Sequence, residues 1–311
     1  MGADDTETGP QIALSLNDGQ QSFAIDRTNK EKPVFARDLP LQGSINAAAD
    51  AYAETSLLRS SGIARLADIP FGPDPAQRMD IYLPDYGLRG HSNLPVFLFW
   101  HGGGFTHGHK EWCGFMAPPL LSVPAIFISA NYRLLPQVTS EELMDDARAA
   151  VRWVLDNISN YGGNPNRLVI GGHSAGAVIA ARLELDEQRR RAAGIPDGAI
   201  SAVMAMSGSY HKRTGDVHSD PALRLPVDQP DCAADFSGPT SARFTLAWGN
   251  LERDTVQQSG RDFAALLEGR GVIVRRQPFE NADHFSVHLD AGHAANAFRQ
   301  AVVEELRAIA G

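Results

Sequence analysis

The chain has 311 residues, 43% of them hydrophobic and 21% charged, and a formal net charge of −9. That length is ample to bury the core of one large α/β domain, and no apolar run reaches the ~20 residues that a bilayer-spanning helix needs. The acidic balance, with no basic stripe to neutralise phosphates, argues against a nucleic-acid partner, so a soluble protein acting on a small molecule is expected.

Residues 1–40 are polar, acidic and without periodicity, and are expected to form a flexible or loosely docked extension. The first ten residues, MGADDTETGP, carry neither a basic nor an apolar signal segment, which leaves the cytoplasm as the expected location. Residues 44–60 are rich in helix formers, with Ser44 as candidate cap, and are expected to lie over a domain spanning residues 41–311 as part of a lid. Met79 to Leu83 alternates as a half-buried edge strand would, and Pro84 ends it. Apolar runs follow at 95–100, 125–130, 168–171, 200–206 and 244–248, with helix-patterned segments between them. That alternation predicts a mainly parallel sheet covered by helices on both faces. Leu143, Ala147, Ala150, Val151, Val154 and Ile158 recur at helical spacing within 141–160, and Phe298, Val302, Leu306 and Ile309 within 293–309. The run Arg189 to Arg191 reads as the solvated end of a helix. Residues 211–240, rich in Pro, Asp and Gly, read as a second lid element over the strand ends.

Two glycine-rich turns carry the chemistry. Gly172-His173-Ser174-Ala175-Gly176 sits between a short apolar strand and the helix-like run Ala175 to Leu185, the setting of a nucleophile elbow. The glycines let strand and helix approach closely, and the helix start aims N–H groups at negative charge forming beside Ser174. His101-Gly102-Gly103-Gly104-Phe105 follows the run 95–100, and three successive glycines allow backbone N–H groups to turn inward. Among ten histidines, His284 is the best base, lying after the β-rich run 272–278 and before the last helical segment. His288, four residues on, is the second candidate; His91, His211, His218 and His293 read as surface or loop residues. His107 and His109 form an HxH with no third ligand in view and read as a solvent-facing loop. The acid has two candidates, Glu252 and Asp254, both on the loop where strand 244–248 should end. Cys113 and Cys232 share no metal-ligand spacing.

The set HGGGF…GHK, SANYRL, DDARAAVRWVLDNI, YGGNPNRLVIGGHSAG, WGNLE…QQS and ADHF resembles the arylformamidase (kynurenine formamidase) branch of the HGGG-type esterases, over roughly residues 50–305. The resemblance implies an α/β-hydrolase fold and a hydrolase with Ser174, His284 and an acid as catalytic groups. It places that acid three residues after Gly249, at Glu252, with Asp254 as the alternative. It also implies an oxyanion hole made by the N–H groups of Gly103, Gly104 and Ala175, and neither metal nor cofactor. Small esters or aryl formamides are the implied substrates, with a homodimer as the assembly to consider. The rival from another class is a non-catalytic binding protein built on the same fold.

Overall fold

The computed structural model describes residues 42–84, 92–211, 233–293 and 295–310. The expected N-terminal extension and most of the second lid element, with His91, His218 and Cys232, lie outside them. Among the described residues one eight-stranded sheet runs in the order β1-β2-β4-β3-β5-β6-β7-β8. Its strands are β1 (Leu66–Pro70), β2 (Arg78–Tyr82), β3 (Leu94–Trp100), β4 (Ile126–Ala130), β5 (Gly163–His173), β6 (Ile200–Met206), β7 (Arg243–Gly249) and β8 (Val274–Phe279). β1 pairs with β2, and β2 with β4, in antiparallel fashion; every other neighbouring pair is parallel. This is the mainly parallel sheet expected from the apolar runs.

The helices are α1 (Ala47–Ser60), α2 (Ala117–Leu121), α3 (Ser140–Asn157), α4 (Ala175–Leu185), α5 (Glu187–Ala192), α6 (Asp254–Gly269), α7 (Ser286–Leu289) and α8 (Ala297–Ala310). Every residue of β3 and β4 is buried, because helices cover both faces and neither strand has a solvent side. Val96, Leu98 and Trp100 join a core with Leu143 and Val151 of α3, Ile179 of α4 and Phe263 of α6. Phe97 and Phe99, one step out of phase, join Tyr52 of α1 and Phe298, Val302 and Leu306 of α8 on the other face. Each such side chain contributes about 1.5–3 kcal/mol through burial, which fixes the register of the central strands.

Several expectations are corrected. Asn46, not Ser44, caps α1: its side chain accepts from Ala49 N–H at 3.0 Å, while Ser44 turns its hydroxyl to Asp50. α3 starts at a capping box in which Thr139 and Glu142 satisfy each other's backbone N–H groups. The arginine run is not uniformly solvated, since Arg190 is buried and hydrogen-bonds Pro196 O and Asp197 at 3.0 Å. Of the described part of the second lid element, Ala234 N–H donates to Tyr210 O, four residues past β6, at 2.9 Å, and Gly238 N–H donates to Leu185 O at the end of α4 at 3.1 Å.

The chain runs from β3 outward to β4 and then back across to β5 on the other side of β3. That reversal opens a crevice at the carboxyl ends of β3 and β5, the place where open α/β sheets bind ligands.

Candidate active site

Both glycine-rich turns open into this crevice, one from the end of β3 and the other from the end of β5. Ser174 follows β5 directly and adopts φ 53° and ψ −113°, a conformation costly for a residue with a Cβ. Its neighbours make the turn feasible. A Cβ on Gly172 would come within 2.1 Å of the Gly176 carbonyl carbon, and one on Gly176 within 2.1 Å of Trp100 O. Glycine at both places is therefore a packing requirement, and the Ser174 N–H is anchored on Met206 O at 2.8 Å.

The turn after β3 lies against the elbow. A Cβ on Gly102 would meet His173 Nδ1 at 2.9 Å and Ser174 Cβ at 3.1 Å. Gly103 and Gly104 have φ of 119° and 61°, and the Gly103 carbonyl accepts the N–H groups of Thr106 and His107 at 3.1 and 2.9 Å. The segment below the turn is tied to the edge of the sheet by Lys110, buried and paired with Asp68 and Asp80 at 2.8 Å each. Its neighbour Phe105 turns into the core instead of facing the crevice.

His284 and the acid arrive from the ends of β8 and β7. Asp283 forms a local turn, its Oδ1 accepting the N–H groups of Phe285 and Ser286 at 3.0 and 2.8 Å, and α7 starts from it. His284 Nε2 lies 3.0 Å from Ser174 Oγ, and His284 Nδ1 lies 2.8 Å from Glu252 Oε2. The other carboxylate oxygen, Oε1, accepts from the Ser207 hydroxyl at 2.6 Å and from Gly249 N–H at 2.7 Å. Burial pushes the Glu252 carboxyl up; the hydrogen bonds and charge attraction of His284, with the Gly249 N–H and the Ser207 hydroxyl, outweigh it and hold it below the ordinary carboxylate range. Asp254, the alternative acid, is exposed at the start of α6. Of the two candidates, Glu252 is the one brought to His284.

The remaining histidines sort themselves by burial. His288 is buried behind the elbow, its Nδ1 2.7 Å from Tyr52 Oη, and does not reach Ser174. His101 is buried and stacked on Tyr132 at 4.4 Å, its Nδ1 donating to Gly102 O at 2.7 Å. His107 and His109 are half-buried rather than solvent-facing: His107 hydrogen-bonds the Thr106 hydroxyl at 2.7 Å, and His109 packs edge-on against Trp112. Among the described residues no group of three or more His, Cys, Asp or Glu is arranged to hold a metal ion. Three residues in or behind the constellation had no role assigned from the sequence: Ser207 lies in a stretch without a motif, His173 occupies the elbow position that the motif leaves free, and Tyr52, which reaches the site through His173 and Phe285, opens YAETS, a stretch of the resemblance that carries no chemistry of its own.

A family model described as alpha/beta hydrolase fold matches residues 97–224. Carboxylesterase NlhH of Mycobacterium tuberculosis is 35% identical over 244 residues, covering 70% of this chain and 70% of that protein. Kynurenine formamidase of Danio rerio is 23% identical over 228 residues, covering 71% of this chain and 75% of that protein. Isoprenylcysteine alpha-carbonyl methylesterase ICME of Arabidopsis thaliana is 34% identical over 149 residues, 46% of this chain; the match spans 34% of that relative's length. The solved structure of EstE1, a thermophilic carboxylesterase cloned from a metagenomic library, superposes with a TM-score of 0.64 at 19% identity, covering 88% of this chain and 98% of that one. The chain belongs to the α/β-hydrolase fold family, with the HGGG-type esterases.

Proposed function

We propose that the protein is a serine hydrolase that cleaves small carboxylic esters or aryl formamides through an acyl-enzyme. The observation that carries this reading is the unbroken chain of hydrogen bonds from Ser174 Oγ through both nitrogens of His284 to Glu252, at 3.0 and 2.8 Å. Glu252 is an ionised acceptor, so His284 Nδ1 bears the hydrogen and Nε2 is the bare, basic nitrogen. Nε2 takes the Ser174 proton as Oγ attacks the substrate carbonyl, and the imidazolium beside Glu252 then protonates the leaving alcohol or amine. Water, deprotonated by the same nitrogen, hydrolyses the ester of Ser174 and restores the serine.

The carbonyl oxygen becomes negative in both half-reactions. The N–H groups of Gly103, Gly104 and Ala175 are the proposed donors: two lie on a turn that touches Ser174, and the third opens α4, where helix geometry leaves the first N–H groups without internal partners. Loss of one such donor costs on the order of 10²- to 10³-fold in rate. Helix α1 packs against the elbow through the buried Tyr52, and the reading takes it as part of a lid that admits small substrates. Ester hydrolysis is supported by the kinship with carboxylesterase NlhH and formamide hydrolysis by that with kynurenine formamidase.

Two experiments test the reading. A fluorophosphonate probe should modify Ser174 and abolish turnover; an active-site serine that stays unlabelled would favour a binding protein on this fold. A panel of p-nitrophenyl esters of increasing acyl length, run beside N-formylkynurenine, assigns the substrate class by kcat/KM.

A further inference from the structure

His173 stands next to the nucleophile, yet its side chain turns away from Ser174 to the backbone of the base. Its Nε2 lies 2.8 Å from His284 O. A carbonyl oxygen can only accept, so Nε2 carries the hydrogen. The ring is fully enclosed; burial, followed by the neighbouring His288 and His284, holds it well below the ordinary histidine range, and its Nδ1 has no hydrogen-bond partner among the described residues. It is a neutral donor of fixed tautomer.

The ring is held in plane from behind. His288 stacks on it with centroids 4.8 Å apart and 8° between planes, and stacks on Phe99 with its other face at 5.5 Å and 9°. His288 Nε2 lies 3.3 Å from Met116 Sδ, and its Nδ1 lies 2.7 Å from Tyr52 Oη. A thioether sulfur only accepts, so Nε2 of His288 carries its hydrogen and Nδ1 accepts from the Tyr52 hydroxyl. The Tyr52 ring also stacks on Phe285, the residue after the base, at 4.9 Å and 28°.

We propose that His173 is a positioning residue for His284, held in place by His288 and Tyr52. The elbow thereby fixes the peptide of the base as well as carrying the nucleophile, and α1 braces the same peptide through Phe285. This inference rests on the reading of Ser174 and His284 as nucleophile and base. It accounts for histidine at the variable position of the elbow: the side chain must reach across to β8's loop and donate one hydrogen bond there without carrying charge.

The test replaces His173 by Gln, whose amide N–H can occupy the place of Nε2–H, and by Leu, which fills the site without a donor. Steady-state kinetics on p-nitrophenyl acetate and the rate of fluorophosphonate labelling are measured for each, with thermal melts to count folded protein. His173→Leu should lose about 10- to 100-fold in kcat and in labelling rate, with KM within about twofold, because a displaced base harms the chemical step and not ground-state binding. His173→Gln should recover most of that loss. Equal losses in the two variants, or a normal kcat in folded His173→Leu, would overturn the proposal. Should His173→Leu not fold, Tyr52→Phe decides, since it deletes only the hydroxyl: a kcat about 3- to 10-fold lower at unchanged KM supports the bracing role, and parental kcat refutes it. Ser174→Ala separates the two levels, because a Ser174→Ala enzyme that still turned over would sink the serine-hydrolase reading itself, whatever His173 does.

Discussion

Glu252→Gln is the sharpest test of the charge arrangement, because the structure dictates which way the new amide must face. The Oε1 position receives two donors, the Ser207 hydroxyl at 2.6 Å and Gly249 N–H at 2.7 Å. An NH₂ group there would set N–H against N–H, so the amide oxygen keeps that place and the NH₂ group turns to His284 Nδ1. His284 must then accept at Nδ1 and carry its hydrogen on Nε2, the nitrogen 3.0 Å from Ser174 Oγ. A protonated Nε2 cannot take the serine proton. The expected loss in kcat is about 10⁴-fold, equivalent to about 5.5 kcal/mol of transition-state stabilisation, with KM and the folded structure little changed. Asp254→Asn, at an exposed position, should stay within about twofold of the parent. Steady-state kinetics on p-nitrophenyl acetate measure both. A Glu252→Gln enzyme within tenfold of the parent, or an Asp254→Asn enzyme equally crippled, would show that the tautomer argument is wrong.

Ser174→Ala should lower kcat by about 10⁶-fold while substrate binding and the melting curve persist; appreciable residual turnover in purified protein would contradict the mechanism. Gly176→Ala should compromise folding as well as catalysis, since its Cβ would lie 2.1 Å from Trp100 O, a backbone atom that cannot step aside; circular dichroism and soluble yield measure it, and a well-folded variant would refute the packing account. Stability should fall with acid. Burial above all pushes His101 and His288 down to about 3 in the folded chain from the ordinary 6.5. Below pH ~6.5 the unfolded chain takes up protons that the folded chain refuses, so each ring withdraws about 2 kcal/mol by pH ~5. Urea midpoints that coincide at pH 7 and pH 5 would exclude this. Short acyl esters should outperform long ones in kcat/KM, and the reverse ranking in the ester panel would reject a narrowed entrance.

The motifs were legible because their chemistry is local. An elbow needs glycines two residues either side of the serine, and a fully buried strand needs an unbroken apolar run, so Ser174 and β3 could be read from neighbours in sequence. β1 could not: Asp68 stands at φ 57° in an irregular pairing between Leu66 and Ile69, which breaks the alternation that marks an edge strand. α6 was hidden by a glycine in its interior. Gly260 is there because a Cβ would approach the Trp248 ring to 2.9 Å, a reason that exists only once β7 and the helix are packed. The resemblance pointed to Glu252 with Asp254 as the alternative, but the contact of Glu252 with His284, and the convergence of Ser207 and Gly249 N–H on its other carboxylate oxygen, are properties of the fold. His173 and Tyr52 went unread for a similar reason: 121 positions part them, and their common business is a peptide on a third segment.

The backbone of Ser174 ties durability to chemistry at a single residue. A φ of 53° with ψ −113° costs about 1–3 kcal/mol for a side-chain-bearing residue, and the surrounding packing and the Ser174 N–H bond to Met206 O, at 2.8 Å, have to sustain it. Glycine at this position would relax the turn and leave a sturdier, inert protein. Selection for thermal endurance and selection for turnover therefore pull in opposite directions here, and a lineage released from the need for catalysis would be expected to lose this serine early.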